Sequence, residues 1–310
     1  MLERLTPILL IICAGLLWQR FTPGGLEAAQ LRRTINGLNI YLLIPCLILH
    51  VLLGSPLPGG YGSVPAVAAL VILAALALNT LVYGHLLRPI LPGGKGAMIL
   101  AGSFGNGVGV ALPVVIALVG ESVGSVPILY TLLASVPLAW TLGVMVALRH
   151  TSHALVRPMW QELLRSPPFA AVLIAMTCRE TGLIPPPTLA ATFEQLGRTA
   201  LPLVIFVVGL SLNLRGLSRV WQVMPALGIK GVLSPLLALG LGRWMGLEGA
   251  MLTALVLTAA TSSFNVGIVL SDRYGLDVDL YALAVALSSA LYFATAPLWA
   301  AWLGAAPPAL

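Results

Sequence analysis

The chain has 310 residues, of which 59% are hydrophobic and only 8% charged, with a net charge of +6 and a mean hydropathy of +1.00. A water-soluble protein carries about a quarter charged residues, so this composition excludes a water-solvated exterior and makes lipid the solvent. The cations are scattered singly between apolar runs, as membrane proteins use them for orientation, and no nucleic-acid partner is expected.

Runs such as 67–78 and 233–241 are apolar on every face. That excludes the alternating pattern of a membrane barrel and predicts an all-α polytopic membrane protein. A helix needs about 20 apolar residues to cross the hydrocarbon. Runs bounded by charge, Pro or Gly predict ten spans, at 5–22, 35–54, 64–87, 96–120, 125–148, 166–184, 197–214, 220–242, 249–271 and 278–303. The first opens like a signal peptide, but Glu3 and Arg4 cancel and Trp18-Gln19-Arg20 offers no small-residue cleavage site, so it reads as a retained span. The sixth is the weakest, because Arg179-Glu180 enters it early; those charges are expected to pair or snorkel at the membrane surface. Cys13, Cys46 and Cys178 lack CxxC spacing and read as small packing residues.

Alternate connections, beginning after the first span, hold Arg20, Arg32, Arg33, Arg88, Lys95, Arg149, Arg157, Arg165, Arg215, Arg219 and Arg273. The opposite side holds Arg4, Arg179, Arg198 and Arg243. Eleven cations against four predict that the first set is cytoplasmic and that both termini face outward.

Two apolar runs are interrupted by similar polar phrases, Ser103-Phe104-Gly105-Asn106-Gly107 and Ser263-Phe264-Asn265-Val266-Gly267, whose asparagines stand 159 positions apart. Pro45 and Pro202 sit in related apolar phrases 157 apart, and Ala134-Ser135-Val136-Pro137-Leu138 resembles Ala294-Thr295-Ala296-Pro297-Leu298 at an offset of 160. These offsets predict two five-helix repeats, residues 1–150 and 166–310, joined by a cytoplasmic linker at 151–165. An odd number of spans turns the second repeat upside down. The fourth and ninth spans are then broken helices that cross. Gly102, Gly105, Gly107 and Gly109 weaken the fourth, and Pro113 removes a donor soon after. Unwound backbone is tolerable in lipid only inside protein or around a polar cavity. Half-helix N-termini then present a positive dipole end to an anion, and Asn106 and Asn265 can add amide donors to a carboxylate or acceptors to a cation. Ser103, Gly105, Gly107, Ser263, Gly267, Pro45 and Pro202 complete the candidate substrate-binding set.

Lys230 is the one full charge placed well inside a span, where it can tune the charge near a substrate. All ten acidic residues fall in connections or near span ends, which disfavours carboxylate-based cation exchange. His50 and His85 read as interfacial, and Asn36, Asn39 and Asn79 as interhelical hydrogen-bonding positions, with Asn39 also able to face the cavity. No nucleophile–base set, metal-ligand spacing or phosphate loop is present, so no enzyme activity, metal or other cofactor is expected.

The ordered set of phrases resembles the auxin efflux carrier superfamily of bacterial permeases and plant PIN-type carriers. The matching stretches are Asn39-Ile40-Tyr41-Leu42-Leu43-Ile44-Pro45-Cys46-Leu47-Ile48-Leu49, Ser103-Phe104-Gly105-Asn106 through Leu112-Pro113, and Ser166-Pro167-Pro168. They continue with Leu201-Pro202-Leu203 through Val208-Gly209-Leu210-Ser211-Leu212, Ile229-Lys230, Asn265 and Ser271-Asp272-Arg273-Tyr274-Gly275. The resemblance implies ten spans, inverted repeats, a scaffold and a transport domain, and organic-anion substrates held at Asn106 and Asn265. Two departures are Arg179-Glu180 in the sixth span and the lack of a second-crossover counterpart to Pro113. The short linker favours a compact bacterial-type permease in the plasma membrane. The expected function is secondary transport of a small organic anion by alternating access, with that anion and the bilayer as partners and a homodimer left open. The alternatives are a sodium-coupled bile-acid-type symporter and a ligand sensor that moves nothing.

Overall fold

The computed structural model describes residues 2–54, 61–87, 90–151, 166–211 and 217–304. The linker beyond Thr151, and the cations Arg88, Arg157, Arg165 and Arg215, lie outside the described residues. The described chain is helical: α1 (Leu2–Phe21), α2 (Ala28–Gly54), α3 (Ser63–His85), α4 (Pro92–Ser103), α5 (Gly107–Leu118) and α6 (Glu121–His150). The second part holds α7 (Pro167–Thr181), α8 (Pro187–Ser211), α9 (Leu217–Trp244), α10 (Gly249–Ala259), α11 (Val266–Arg273) and α12 (Val278–Trp302). Six of these, α2, α3, α6, α8, α9 and α12, are long and apolar enough to cross a membrane.

Two helices start well before the sequence expectation, α2 at residue 28 rather than 35 and α8 at 187 rather than 197. An apolar run stops at the first charge, whereas a helix extends past the hydrocarbon with its polar face in water. Arg32 and Arg33 ride on the first of these extensions, and Glu194 on the second. Arg179 at the end of α7 donates from Nη1 to the Leu52 carbonyl at 2.7 Å, capping the C-terminal turn of α2.

Among the described residues, six wide π-helical turns punctuate the helices, and four of them precede a proline by two residues. Asn39–Leu43 precedes Pro45, Gly107–Ala111 precedes Pro113, Thr131–Ser135 precedes Pro137, and Ile229–Leu233 precedes Pro235. A proline in a helix lacks an N–H and drives its ring against the carbonyl four residues back. Widening the preceding turn moves that carbonyl aside and re-pairs the neighbouring amide, as Ser234 N–H does with Ile229 C=O.

Packing sorts the helices into two groups that do not follow chain order. In the smaller group α1 lies along α8, and α2 lies along α7 and α8. Glycines set these distances: Gly15 meets Gly209, and Gly197 meets the backbone of Leu47. The larger group joins α3, α4, α6, α9, α10, α11 and α12. α5 bridges the two, touching α1 and α8 as well as α6 and α10.

At one end of the larger group, Asp277 N–H donates to Gly93 C=O at 3.2 Å, Asp277 Oδ1 caps α12 through Leu280 N–H at 2.9 Å, and Asp277 Oδ2 pairs with Arg219. Burial alone would raise the Asp277 carboxyl. The hydrogen bonds from Arg219 and Leu280 and the charge of Arg219 outweigh it and hold the group below the usual carboxylate range.

Candidate functional site

The two interrupted helices meet where each is unwound. Past α4, Phe104 is extended, and past α10 the chain runs irregularly from residue 260 to 265. Gly105 and Ser263 face each other as an antiparallel pair. Phe264 N–H donates to Phe104 C=O at 3.1 Å, and Asn106 N–H donates to Ser262 C=O at 2.9 Å. Peptide groups released by unwinding cost several kcal/mol each in an apolar interior unless paired. Here they pair across the crossing, and side chains take more of them.

Ser263 Oγ donates to Ala101 C=O at 2.8 Å, Ser288 Oγ accepts Ser263 N–H at 3.0 Å, and Thr261 Oγ1 donates to Asn106 C=O at 3.3 Å. Tyr281 donates to Phe264 C=O at 2.8 Å. Glycine at 105 is required by space: a Cβ there would lie 2.7 Å from both Lys230 Nζ and the Thr261 methyl group.

Asn106 is buried and caps α5, its Oδ1 accepting Gly109 N–H at 3.1 Å. That engages one of the oxygen's two lone pairs, and the Nδ2 donors remain to offer. The first amides of α5, Gly107 and Val108, have no intrahelical acceptor by their position. Asn265 precedes α11, makes no cap with its side chain, and lines a small cavity with Val110, Val208, Ser211, Val285, Ala286 and Ser289. That cavity lies between α8 of the smaller helix group and α5 and α12, and it has room for about one water molecule.

The other predicted residues have varied positions. Ser103 is turned into the α3 contact, donating to Ile99 C=O at 2.7 Å and accepting from Asn79 Nδ2 at 3.3 Å, so Asn79 does join two helices. Gly107 leaves space for the Thr131 hydroxyl, and Gly267 for the Tyr281 ring. Pro45 and Pro202 lie in α2 and α8, and neither lines the cavity beside Asn265. Asn39 is buried with neither side-chain polar atom hydrogen-bonded.

Lys230 is 2% exposed, in the wide turn of α9, and its Nζ touches the crossing at Gly105. No ion pair holds it among the described residues.

Sequence reasoning assigned no site role to Ser211, Tyr281, Ser288 and Ser289. The adjacent Ser288-Ser289 inside the apolar stretch 282–291 is the signal that points to them, since a polar pair in lipid needs partners.

A helical protein of this hydropathy, with a polar crossing of unwound segments inside it, is a multi-pass membrane protein. Residues 1–300 match the family described as membrane transport protein, and the chain belongs to it, the auxin efflux carrier family; it is a transporter and not an enzyme. An uncharacterized transporter of Methanothermobacter thermautotrophicus is 26% identical over 301 residues, covering 96% of each chain.

Proposed function

We propose that this transporter carries a small organic anion, a carboxylate, across the plasma membrane by alternating access. The observation that carries the reading is the donor excess at the crossing. Asn106 engages its oxygen in the α5 cap and keeps its Nδ2 donors, beside amides that the helix start leaves unpaired. Such a set binds a negative group. Asn265 lines the cavity together with Val110 of α5, the serines and glycines of both polar phrases shape the backbone, and Lys230 adds positive charge from behind Gly105. Pro45 and Pro202 act at a distance, as breaks in α2 and α8.

The cavity beside Asn265 holds about one water, too little for a carboxylate. Its walls come from both helix groups, so a relative shift of the groups opens it. The smaller group acts as the scaffold and the larger one as the moving body.

In this reading α4–α5 and α10–α11 count as single spans, giving ten, and residues 1–150 and 166–310 are inverted repeats with both termini outside. Supporting that orientation, Gly93, Arg219 and Asp277 meet at one end, and all three belong to connections on the cation-rich side.

The test is uptake of labelled malate and indole-3-acetate into proteoliposomes containing the parent, Asn106→Ala or Asn265→Ala. The apparent affinity should fall at least about tenfold in each variant, equivalent to about 1.4 kcal/mol. Unchanged affinity in two well-folded variants would overturn the site, and binding without flux would make the protein a sensor.

A further inference from the structure

We infer that Tyr83 is a positioning residue for Lys230, acting through the shape of α9. The inference rests on the charge-tuning role proposed for that lysine. Tyr83 is wholly buried in the wide turn that ends α3. Its hydroxyl accepts Ala226 N–H at 3.0 Å and donates to Gln222 C=O at 2.7 Å. Those two groups stand four residues apart, so in an uninterrupted helix they would bond to each other. The tyrosine oxygen is therefore inserted into the α9 ladder, and a side chain in that place kinks a helix.

The sequence around the wedge explains why α9 accepts it. Pro225 has no N–H to give to Trp221 C=O, and its ring crowds that carbonyl, so the ladder is already open one residue earlier. Four residues after Ala226, on the same face of α9, comes Lys230. It sits in the wide turn Ile229–Leu233 that Pro235 demands. Two departures from regular helix thus bracket one turn. The first is imposed by Tyr83 from α3, the second by proline within α9.

The ammonium at the end of this chain has little slack, since a Cβ on Gly105 would come within 2.7 Å of it. Any straightening of α9 at the wedge changes the tilt of the turn that carries Lys230 and withdraws Nζ from the crossing. A buried aromatic ring could pack equally well without its oxygen, so packing alone does not account for a tyrosine here. Phenylalanine in its place would also leave no orphaned backbone group, because Ala226 N–H and Gln222 C=O can then bond directly. The variant is expected to fold and to differ in the geometry of α9.

The test compares Tyr83→Phe, Lys230→Gln and the double variant for thermal melting and for malate and indole-3-acetate uptake in proteoliposomes. Tyr83→Phe should melt within a few degrees of the parent. Its kcat/KM should fall about tenfold, close to the loss in Lys230→Gln, and the double variant should lose less than about twofold more than Lys230→Gln alone. A tyrosine that is merely structural would instead lower uptake by the same factor in both backgrounds, which would overturn the inference. Normal uptake by Tyr83→Phe alongside a defective Lys230→Gln would overturn it while leaving the lysine's role intact. Normal uptake by Lys230→Gln would remove the lysine's role, and this inference with it.

A second readout needs no substrate. The chain has two lysines, Lys95 and Lys230, so 13Cε-lysine labelling gives two side-chain NMR signals, assigned with Lys230→Gln. Tyr83→Phe should move the Lys230 signal and leave that of Lys95 in place; an unmoved Lys230 signal would overturn the proposal. Should Tyr83→Phe not fold, Tyr83→Leu likewise withdraws the hydroxyl from the α9 ladder. It should show the same signal movement and the same dependence on Lys230, and its failure to do so would likewise count against the inference.

Discussion

Two places in this molecule bring backbone against backbone, and they do so by opposite means. Where α1 crosses α8, both helices are intact: a Cβ on Gly209 would lie 2.3 Å from Ile12 O and 3.0 Å from the Gly15 Cα. The contact is mainly van der Waals packing between small residues, with one cross-helix hydrogen bond from Gln19 Nε2 to the Gly209 carbonyl at 2.8 Å. Where α4–α5 meets α10–α11, both helices are unwound, and the peptides bond to the other chain segment at Phe104–Phe264 and Asn106–Ser262. The first crossing holds two intact helices together. The second keeps polar groups available inside an apolar body, which is the requirement for binding a polar solute there.

The contrast can be broken most directly at its glycines. Gly209→Ala puts a methyl group against main chain that cannot yield, and should cost about 3 kcal/mol, the upper range for overpacking, seen as a lower Tm in detergent. Gly105→Ala instead meets the flexible end of Lys230 and a threonine methyl. It should melt closer to the parent yet lose at least about tenfold in carboxylate uptake, because it displaces the charge at the crossing. Equal losses of stability in both variants would erase the distinction between a packing crossing and a binding crossing.

Ser288→Ala sharpens the second half of the comparison. It strips the acceptor from Ser263 N–H and one of two partners from Ser263 Oγ, which keeps its bond to Ala101 C=O. The expected loss is about 1–3 kcal/mol in thermal or denaturant unfolding, larger than for serines that bond only within their own helix, such as Ser289.

Asp277 supplies the pH test away from both crossings. Its folded pKa lies below the unfolded value of about 3.9. Its contribution is therefore present above that unfolded value and is lost as the pH falls through the folded one. Asp277→Asn keeps an oxygen able to cap α12 but loses the charge facing Arg219, so it should lower stability at neutral pH by under about 1 kcal/mol and should flatten the acid limb of Tm against pH. An acid limb identical to the parent's would place the sensitive group elsewhere.

The smallest effect is expected at Arg198, which joins Glu194 at 3.1 Å within α8 and Glu121 of α6 at 3.7 Å across the two helix groups. These side chains are more than two-fifths exposed, and exposed pairs contribute under about 1 kcal/mol. Glu121→Gln should leave Tm nearly unchanged, with any change in uptake rate below about threefold and fading in high salt.

Much of this architecture was legible in the residues themselves. Gly102, Gly105 and Gly107 weaken the helix that does end at Ser103, and the cluster Thr261-Ser262-Ser263 marks the other break without any proline. The polar extensions of α2 and α8 were missed, because Arg32 and Glu194 end an apolar run without ending a helix. Ser103 looked like a ligand group and is instead bound to Ile99 and Asn79. A serine's spacing does not reveal whether its own helix will take its hydroxyl.

Hydropathy and helix-breaking residues act locally, so the sequence by itself determined the lipid solvent, the helical class and the two interruptions around Asn106 and Asn265. Only the tertiary structure decided that α1 lies along α8, that Gly105 meets Ser263, and that Lys230 reaches that meeting point from a wide turn that ends two residues ahead of Pro235. The physical reason is that apolar helices in lipid have no hydrophobic preference for one another. Their partners are chosen by small residues that fit and polar groups that must be paired, and those choices join residues more than a hundred positions apart.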